Sequence, residues 1–294
     1  MSVSPLATAT HPHRPAAFRG RIGRDARSGH YAVPHRYRLL LSTACPDGLR
    51  LAVGHAVLRL DESCPVTLLP AVPDCPDGGH TALRPLYEAS AHHYTGPALA
   101  PVLCDDWSGR IVSTHAPEIL RDLDRFPREG GPRLYPRGTE SVIEAVERMC
   151  AEGVEEAAQR AGRADTDPAE RAAALDVLLD TLGRLERRLT GEEYLVGDAL
   201  TAADIELWVT LVQLDTVHRC HLDASAVHRI AGHRALWAHA RRLAARPAFG
   251  RHLDLDGISR RHHGRCRGLE AAGAAVQILD WAGHAADAPD ASRR

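Results

Sequence analysis

The 294-residue chain contains no lysine: all 36 of its basic residues are arginine. Alongside its many alanines, this reads as a GC-rich coding bias rather than as a device for anion recognition. The chain also lacks a long apolar run. No stretch approaches the roughly 20 residues a membrane-spanning helix needs, so a membrane partner is not expected. Charge of one sign is missing too: the formal net charge is only −2, which argues against a nucleic-acid footprint or a polybasic anchor. Residues 1–16 are polar, with prolines and histidines and without the apolar stretch of a secretion signal. They read as a loose arm on a cytoplasmic protein.

The seven cysteines, Cys45, Cys64, Cys75, Cys104, Cys150, Cys220 and Cys266, contain no CxxC pair. A zinc ribbon and a dithiol redox motif are therefore excluded. A disulfide framework does not fit a chain of this length without a signal peptide, so any cysteine chemistry should belong to a single thiol. The clusters His92-His93, His262-His263 and His218, Cys220, His221 stand among 18 histidines, and none shows a recognised ligand spacing. No metal is expected.

What is present is a change of pattern midway. Tyr37-Arg38-Leu39-Leu40-Leu41-Ser42 reads as a buried strand ending at Thr43-Ala44-Cys45-Pro46. Leu49, Leu51, Ala52, Ala56, Val57 and Leu60 then recur at helical spacing, and Pro46 suits a first helical turn. Cys45 is thereby placed at a strand-to-helix junction, on the positive end of a helix dipole. A second apolar run at 65–70, a helix over 82–91, a hairpin from 100–103 and 110–112 around a turn at 105–109, and a short helix over 117–125 complete a small α+β unit.

A Pro/Gly-rich linker at 126–138 leads into an almost purely helical half. Leu175, Leu178, Leu179, Leu182, Leu185 and Leu189 form one apolar stripe. Thr201 and Asp204 have the spacing of a capping box before the apolar run 205–214, which predicts a helix buried inside a bundle. A further helix is expected over 235–245. Trp208 and Trp237 are read as core, and Asp204 as a structural cap. The expected organisation is an arm (1–17), an α+β domain (18–125), the linker (126–138), an all-helical domain (139–281) and a disordered tail (282–294).

These pieces resemble the glutathione transferase superfamily, and within it the xi class, the glutathionyl-hydroquinone reductases. The resemblance spans about residues 18–266. It is carried by Phe18-Arg19-Gly20-Arg21-Ile22, by Leu41-Ser42-Thr43-Ala44-Cys45-Pro46, and by Tyr94-Thr95-Gly96 with Ala100-Pro101-Val102-Leu103. Further on it is carried by Tyr194-Leu195-Val196-Gly197-Asp198 with Leu200-Thr201-Ala202-Ala203-Asp204-Ile205, by Leu214-Asp215-Thr216-Val217-His218, and by the stretch 258–264. It implies a thioredoxin-like N-terminal domain, an all-helical C-terminal domain and a homodimer. It also implies a catalytic Cys45 that attacks the sulfur of an S-conjugated hydroquinone, and a cis Pro101 that presents Ala100 to a bound thiol. A thiol at a helix N-terminus has a lowered pKa, which suits that role.

The chain departs from the family at defined places. Asp47 replaces the aromatic residue after Cys-Pro, and Gly78-Gly79-His80-Thr81 is the nearest match to the family's Gly-Trp-x-Phe. His115-Ala116 occupies the position of the acidic-serine pair that grips the γ-glutamyl end of glutathione. His218, His262 and His263 align with the family's active-site tyrosines, where histidine can still donate a proton. A neutral His cannot replace a carboxylate facing an ammonium, so the thiol is left open between glutathione and another low-molecular-weight thiol such as mycothiol. Three functions stay open at this level. One is a thiol-dependent reductase of quinone-like aromatic electrophiles. The others are a tailoring lyase or isomerase without net thiol redox, and a binding protein that has kept the fold.

Overall fold

The computed structural model describes residues 18–23, 29–126, 132–266 and 277–286. The expected arm, the first part of the linker and the last residues of the tail lie outside them.

The N-terminal half is built on a four-stranded sheet in the order β2-β1-β3-β4. Strand β1 (Tyr37–Leu41) leads into helix α1 (Pro46–Val57), and β2 (Val66–Leu68) returns parallel to β1. After a 3-10 turn and helix α2 (Arg84–Ser90) comes the antiparallel pair β3 (Val102–Asp105) and β4 (Arg110–Ser113). Helix α3 (Ala116–Leu123) follows. Alternate residues of β1, Tyr37, Leu39 and Leu41, are buried, as one face of a strand packed on helices requires. The Ala100–Pro101 peptide just before β3 is cis. A mixed sheet with α1 and α3 on one face and α2 on the other, joined to a helical C-terminal half, is the glutathione transferase fold.

That helical half contains α4 (Glu140–Arg148), which continues through a π-helical segment (Met149–Glu156) into α5 (Ala157–Ala161), then α6 (Pro168–Leu189) and α7 (Ala202–Thr216). Helices α8 (Ala224–Ala231), α9 (Arg234–Ala244), α10 (Pro247–Gly250), α11 (Leu255–Cys266) and α12 (Trp281–Ala286) follow. The leucine stripe of α6 packs as its spacing predicts: Leu178, Leu182 and Leu185 are fully buried.

Helix α7 is buried over every residue from Ala202 to Asp215, and packs against α1, α4, α9 and the π-helical segment. Its N-terminus is closed as the sequence predicts. Thr201 donates its backbone N–H to Asp204 Oδ2 at 2.9 Å, while Asp204 Oδ1 accepts the Leu195 N–H at 2.9 Å. Burial raises the Asp204 pKa above its ordinary value, against the pull of those donors.

One boundary needs correction. Residues 282–286 do not begin a disordered tail, because they continue α12. Trp281 is fully buried against Trp208, at a ring distance of 6.1 Å. Asp215 of α7 accepts hydrogen bonds from Ile278 N, Leu279 N and the Trp281 indole at 2.8, 3.0 and 2.9 Å. A carboxylate receiving three donors fixes the segment in place.

Candidate active site

Cys45 is the N-cap of α1, and its Sγ accepts the Gly48 N–H at 3.2 Å. The sulfur therefore lies where the unsatisfied amides of the first turn point. Gly48 is dictated by contact. A Cβ there would stand 2.0 Å from the Ser42 carbonyl oxygen and 3.1 Å from the Cys45 sulfur.

The cysteine opens onto a cavity of about 1050 Å³ between the sheet-bearing half and the helical half. On the first side the wall comprises Ala44, Cys45, Pro46, Asp47, Asp77, Gly78, Leu99 and Ala100. Opposite stand residues of α4, the π-helical segment, α7, the 3-10 turn after it (His218–His221) and α11, including Glu155, Glu206, His218, Arg261 and His262. A π-helical segment widens the turn, and here it brings Ala151 and Glu155 to the cavity.

Of the residues singled out in the sequence, Cys45, Ala100, His218 and His262 meet in this cavity. Pro101, His115, Ala116 and His263 are not in its wall. His115 caps α3 with its ring 3.6 Å from Glu118, and Ala116 is buried behind it. His263 is rotated about 100° from His262 around α11, as consecutive helical residues are. It is exposed, and its Nδ1 lies 2.7 Å from the Ser259 carbonyl oxygen. Burial, with the neighbouring His221 and His262, pushes His218 down to about 4.

The cavity floor carries a charged network absent from the sequence reading. Arg50 of α1 donates to Glu206 of α7 and to Asp47, each at 2.7 Å. Asp47 is thus committed to Arg50. Glu155 accepts from Thr210 at 3.1 Å and lies close enough to act on both Arg50 and Glu206. Burial pushes Glu206 up to about 7; Arg50 opposes that shift and Glu155 adds to it. Burial works against the Arg50 cation, but Glu206, Asp47 and Glu155 together hold its pKa above the ordinary value. Glu206 therefore retains a proton toward the neutral range even beside the guanidinium. A charge in the otherwise apolar run 205–214 was the signal that could have found Glu206.

Arg261 is the other residue the sequence reading missed. It reaches from α11 and donates to the Ala71 carbonyl oxygen at 3.0 Å. Burial lowers its pKa, the Cys45 sulfur raises it and Arg265 lowers it further. Arg261 remains a cation facing the cysteine.

A cysteine-capped helix over an interdomain cleft, on a mixed sheet with a cis-proline strand and a helical C-terminal half, defines a transferase of the glutathione type. The comparisons agree. Residues 168–254 match the family model described as the glutathione S-transferase C-terminal domain. The chain is 31% identical to the glutathionyl-hydroquinone reductase PcpF of Sphingobium chlorophenolicum, over 84% of this chain and 82% of that protein. It is similar to the glutathione-bound structure of YqjG from Escherichia coli, with a TM-score of 0.73 and 26% identity over 86% of this chain and 89% of that one. It is also similar to the xi glutathione S-transferase of Phanerochaete chrysosporium, with a TM-score of 0.71 and 26% identity over 83% and 89%. The chain belongs to the xi class of the glutathione transferase family, the glutathionyl-hydroquinone reductases, which are thiol-dependent enzymes. No helix among the described residues is long and apolar enough to cross a membrane.

Proposed function

We propose that the protein reduces thiol-conjugated hydroquinones by thiol exchange at Cys45, with residues 18–125 binding the thiol and residues 139–281 the aromatic acceptor. The observation that carries this reading is the placement of Cys45 at the cap of α1, opening on a cavity whose far wall brings Arg261, His218 and His262. Helix dipole and guanidinium both favour a thiolate there.

In the reaction, the Cys45 thiolate attacks the sulfur of the conjugate and a sulfur–sulfur bond forms. The carbon–sulfur bond breaks, and its electron pair goes to the aryl carbon, which takes a proton and leaves as the free quinol. His218 and His262 are the groups on the acceptor wall suited to steer that proton. A second low-molecular-weight thiol then attacks the mixed disulfide, leaving as a symmetric disulfide and restoring the Cys45 thiolate. Overall the aryl carbon is reduced, while the sulfur of the conjugate and that of one free thiol are oxidised together to the disulfide. Ala100, before the cis Pro101, offers its backbone to the bound thiol.

YqjG binds glutathione, which supports glutathione as the thiol; His115-Ala116 in place of an acidic-serine pair leaves mycothiol as the competitor. No disulfide joins any of the seven cysteines, which suits a reducing cytoplasm, and we take the active unit to be a homodimer. Light scattering at the mass of one 31.9 kDa chain would refute the dimer. A second reading, a lyase or isomerase without net redox, draws on Glu206, whose pKa near 7 fits general acid–base work.

Intact-protein mass spectrometry after mixing with S-glutathionyl and S-mycothiyl hydroquinones separates them. An adduct of one thiol's mass on the wild type but not on Cys45→Ala is expected, and names the thiol. Folded protein that takes no adduct from either conjugate defeats the reductase reading.

A further inference from the structure

Beyond the thiol site, the helical end of the cavity gathers a second set of electron-pair donors. His221 closes the 3-10 turn that follows α7, while His262 and Cys266 lie one turn apart on α11. The spacing of four places His262 and Cys266 on one helical face. His221 joins them from 41 residues away, which is why linear spacing does not reveal the group.

The Nε2 atoms of His221 and His262 are 3.2 Å apart. Cys266 Sγ lies 3.4 Å from His221 Nε2 and 3.3 Å from His262 Nδ1. Taking one donor atom from each residue, all three fall within 4.8 Å of one another. Zinc–nitrogen bonds of about 2.0–2.1 Å and a zinc–sulfur bond of about 2.3 Å, set tetrahedrally, give donor separations of about 3.3–3.6 Å. His262 can give the ion only one of its nitrogens, so with one atom per residue the separations run up to 4.8 Å, and rotation of the His262 or Cys266 side chain must close the set.

We propose that His221, His262 and Cys266 form a Zn²⁺ site. Two imidazoles and a thiolate are a borderline-to-soft donor set, suited to zinc and unsuited to magnesium or calcium. Ionised on binding, Cys266 supplies negative charge that offsets the ion on a helix also carrying Arg261 and Arg265. His262 lines the cavity, so the fourth coordination position opens on that side, to water or to an anionic oxygen or sulfur of a bound molecule. A bound ion would also tie the turn after α7 to α11. The site stands whether or not Cys45 performs thiol exchange, and with the ion bound His262 is a ligand and the steering of the quinol proton falls to His218.

Titration of the full chain, stripped with chelator and kept reduced, tests the proposal. Co²⁺ serves as the spectroscopic probe and Zn²⁺ as the competitor. One equivalent of Co²⁺ should produce a sulfur-to-cobalt charge-transfer band with the strong visible bands of a four-coordinate site, and Zn²⁺ should abolish both. Cys266→Ala should lose the charge-transfer band, and His221→Ala should weaken Co²⁺ binding at least tenfold. Cys45→Ala should leave the spectrum unchanged. Circular dichroism of each metal-free variant checks folding; because the two ligand variants lie on separate elements, either one decides the matter if the other misfolds. A chain that gives no such band, a band that survives Cys266→Ala, or one that vanishes in Cys45→Ala overturns the proposal.

Discussion

The two walls of the cavity are built on different principles. On the sheet side the functional atoms are held by backbone: Cys45 by the first turn of α1, and Ala100 by the cis peptide leading into β3. Opposite, long side chains from α7 and α11 converge, each held by ionic or hydrogen-bonded partners. Backbone positioning tolerates change in neighbouring side chains; positioning by a charge network does not, because removing one member strands another. The contrast teaches that the first wall can keep its functional atoms in place while neighbouring side chains vary, whereas the second depends on each member of its network.

Removing the thiol should have the largest effect. If Cys45 is the nucleophile, Cys45→Ala lowers kcat for thiol exchange by about 10³-fold or more, and the lost cap contact to the Gly48 N–H costs no more than about 1 kcal/mol of stability. A variant that kept a tenth of the activity would move catalysis to the other wall. Next comes Arg50→Met, which strands Glu206 in the interior and should cost about 3–5 kcal/mol in urea unfolding. Pairing it with Glu206→Met should recover most of that loss, because an apolar pair of similar volume replaces a buried ion pair at small cost. If the double variant is no more stable than the single, the charge network is not what holds that wall.

The third test uses pH. Glu206 has its pKa raised from 4.5 to about 7 in the folded chain, so the folded state holds a proton that the unfolded state releases. The stability this contributes is fully present below about pH 4.5 and is lost as pH rises through about 7. Relative to Glu206→Gln, the wild type should therefore lose stability across that window, with a slope no steeper than about 1.4 kcal/mol per pH unit, the limit for one proton. A flat or opposite difference would show Glu206 ionised throughout by Arg50. The smallest effect links the walls. Arg261→Ala should slow iodoacetamide alkylation of Cys45 about tenfold at neutral pH and leave it unchanged at alkaline pH, where the thiolate no longer needs the cation. An unaltered rate profile would leave the helix terminus alone to activate the sulfur.

The same contrast explains what was legible in the sequence. The strand, Cys45-Pro46 and helix α1 lie within about twenty consecutive residues, so periodicity and a helix-start signal suffice to place the cysteine. The Thr201/Asp204 cap and the α6 leucine stripe were readable for the same local reason. Arg50 and Glu206 are 156 positions apart, and Arg261 meets Cys45 only because α11 folds back across the cleft. Nothing local marks such pairs except a charge in an apolar run. His263 misled because alignment fixes position in the chain, while rotation about a helix axis decides which of two adjacent histidines faces the cavity. Trp281 belongs to the core because Asp215, in α7, holds its indole, a contact that no reading of the last residues alone could supply.

The close packing of Gly48 against the Ser42 carbonyl oxygen and the Cys45 sulfur limits what this scaffold can become. Converting it into a self-sufficient dithiol oxidoreductase would require a second cysteine at that position, and a side chain there has nowhere to go unless α1 shifts from β1. For protein engineering, a single substitution will not make the exchange. For evolution, descent toward a two-thiol enzyme must pass through backbone change, whereas exchanging the acceptor requires only replacement of side chains on the opposite wall.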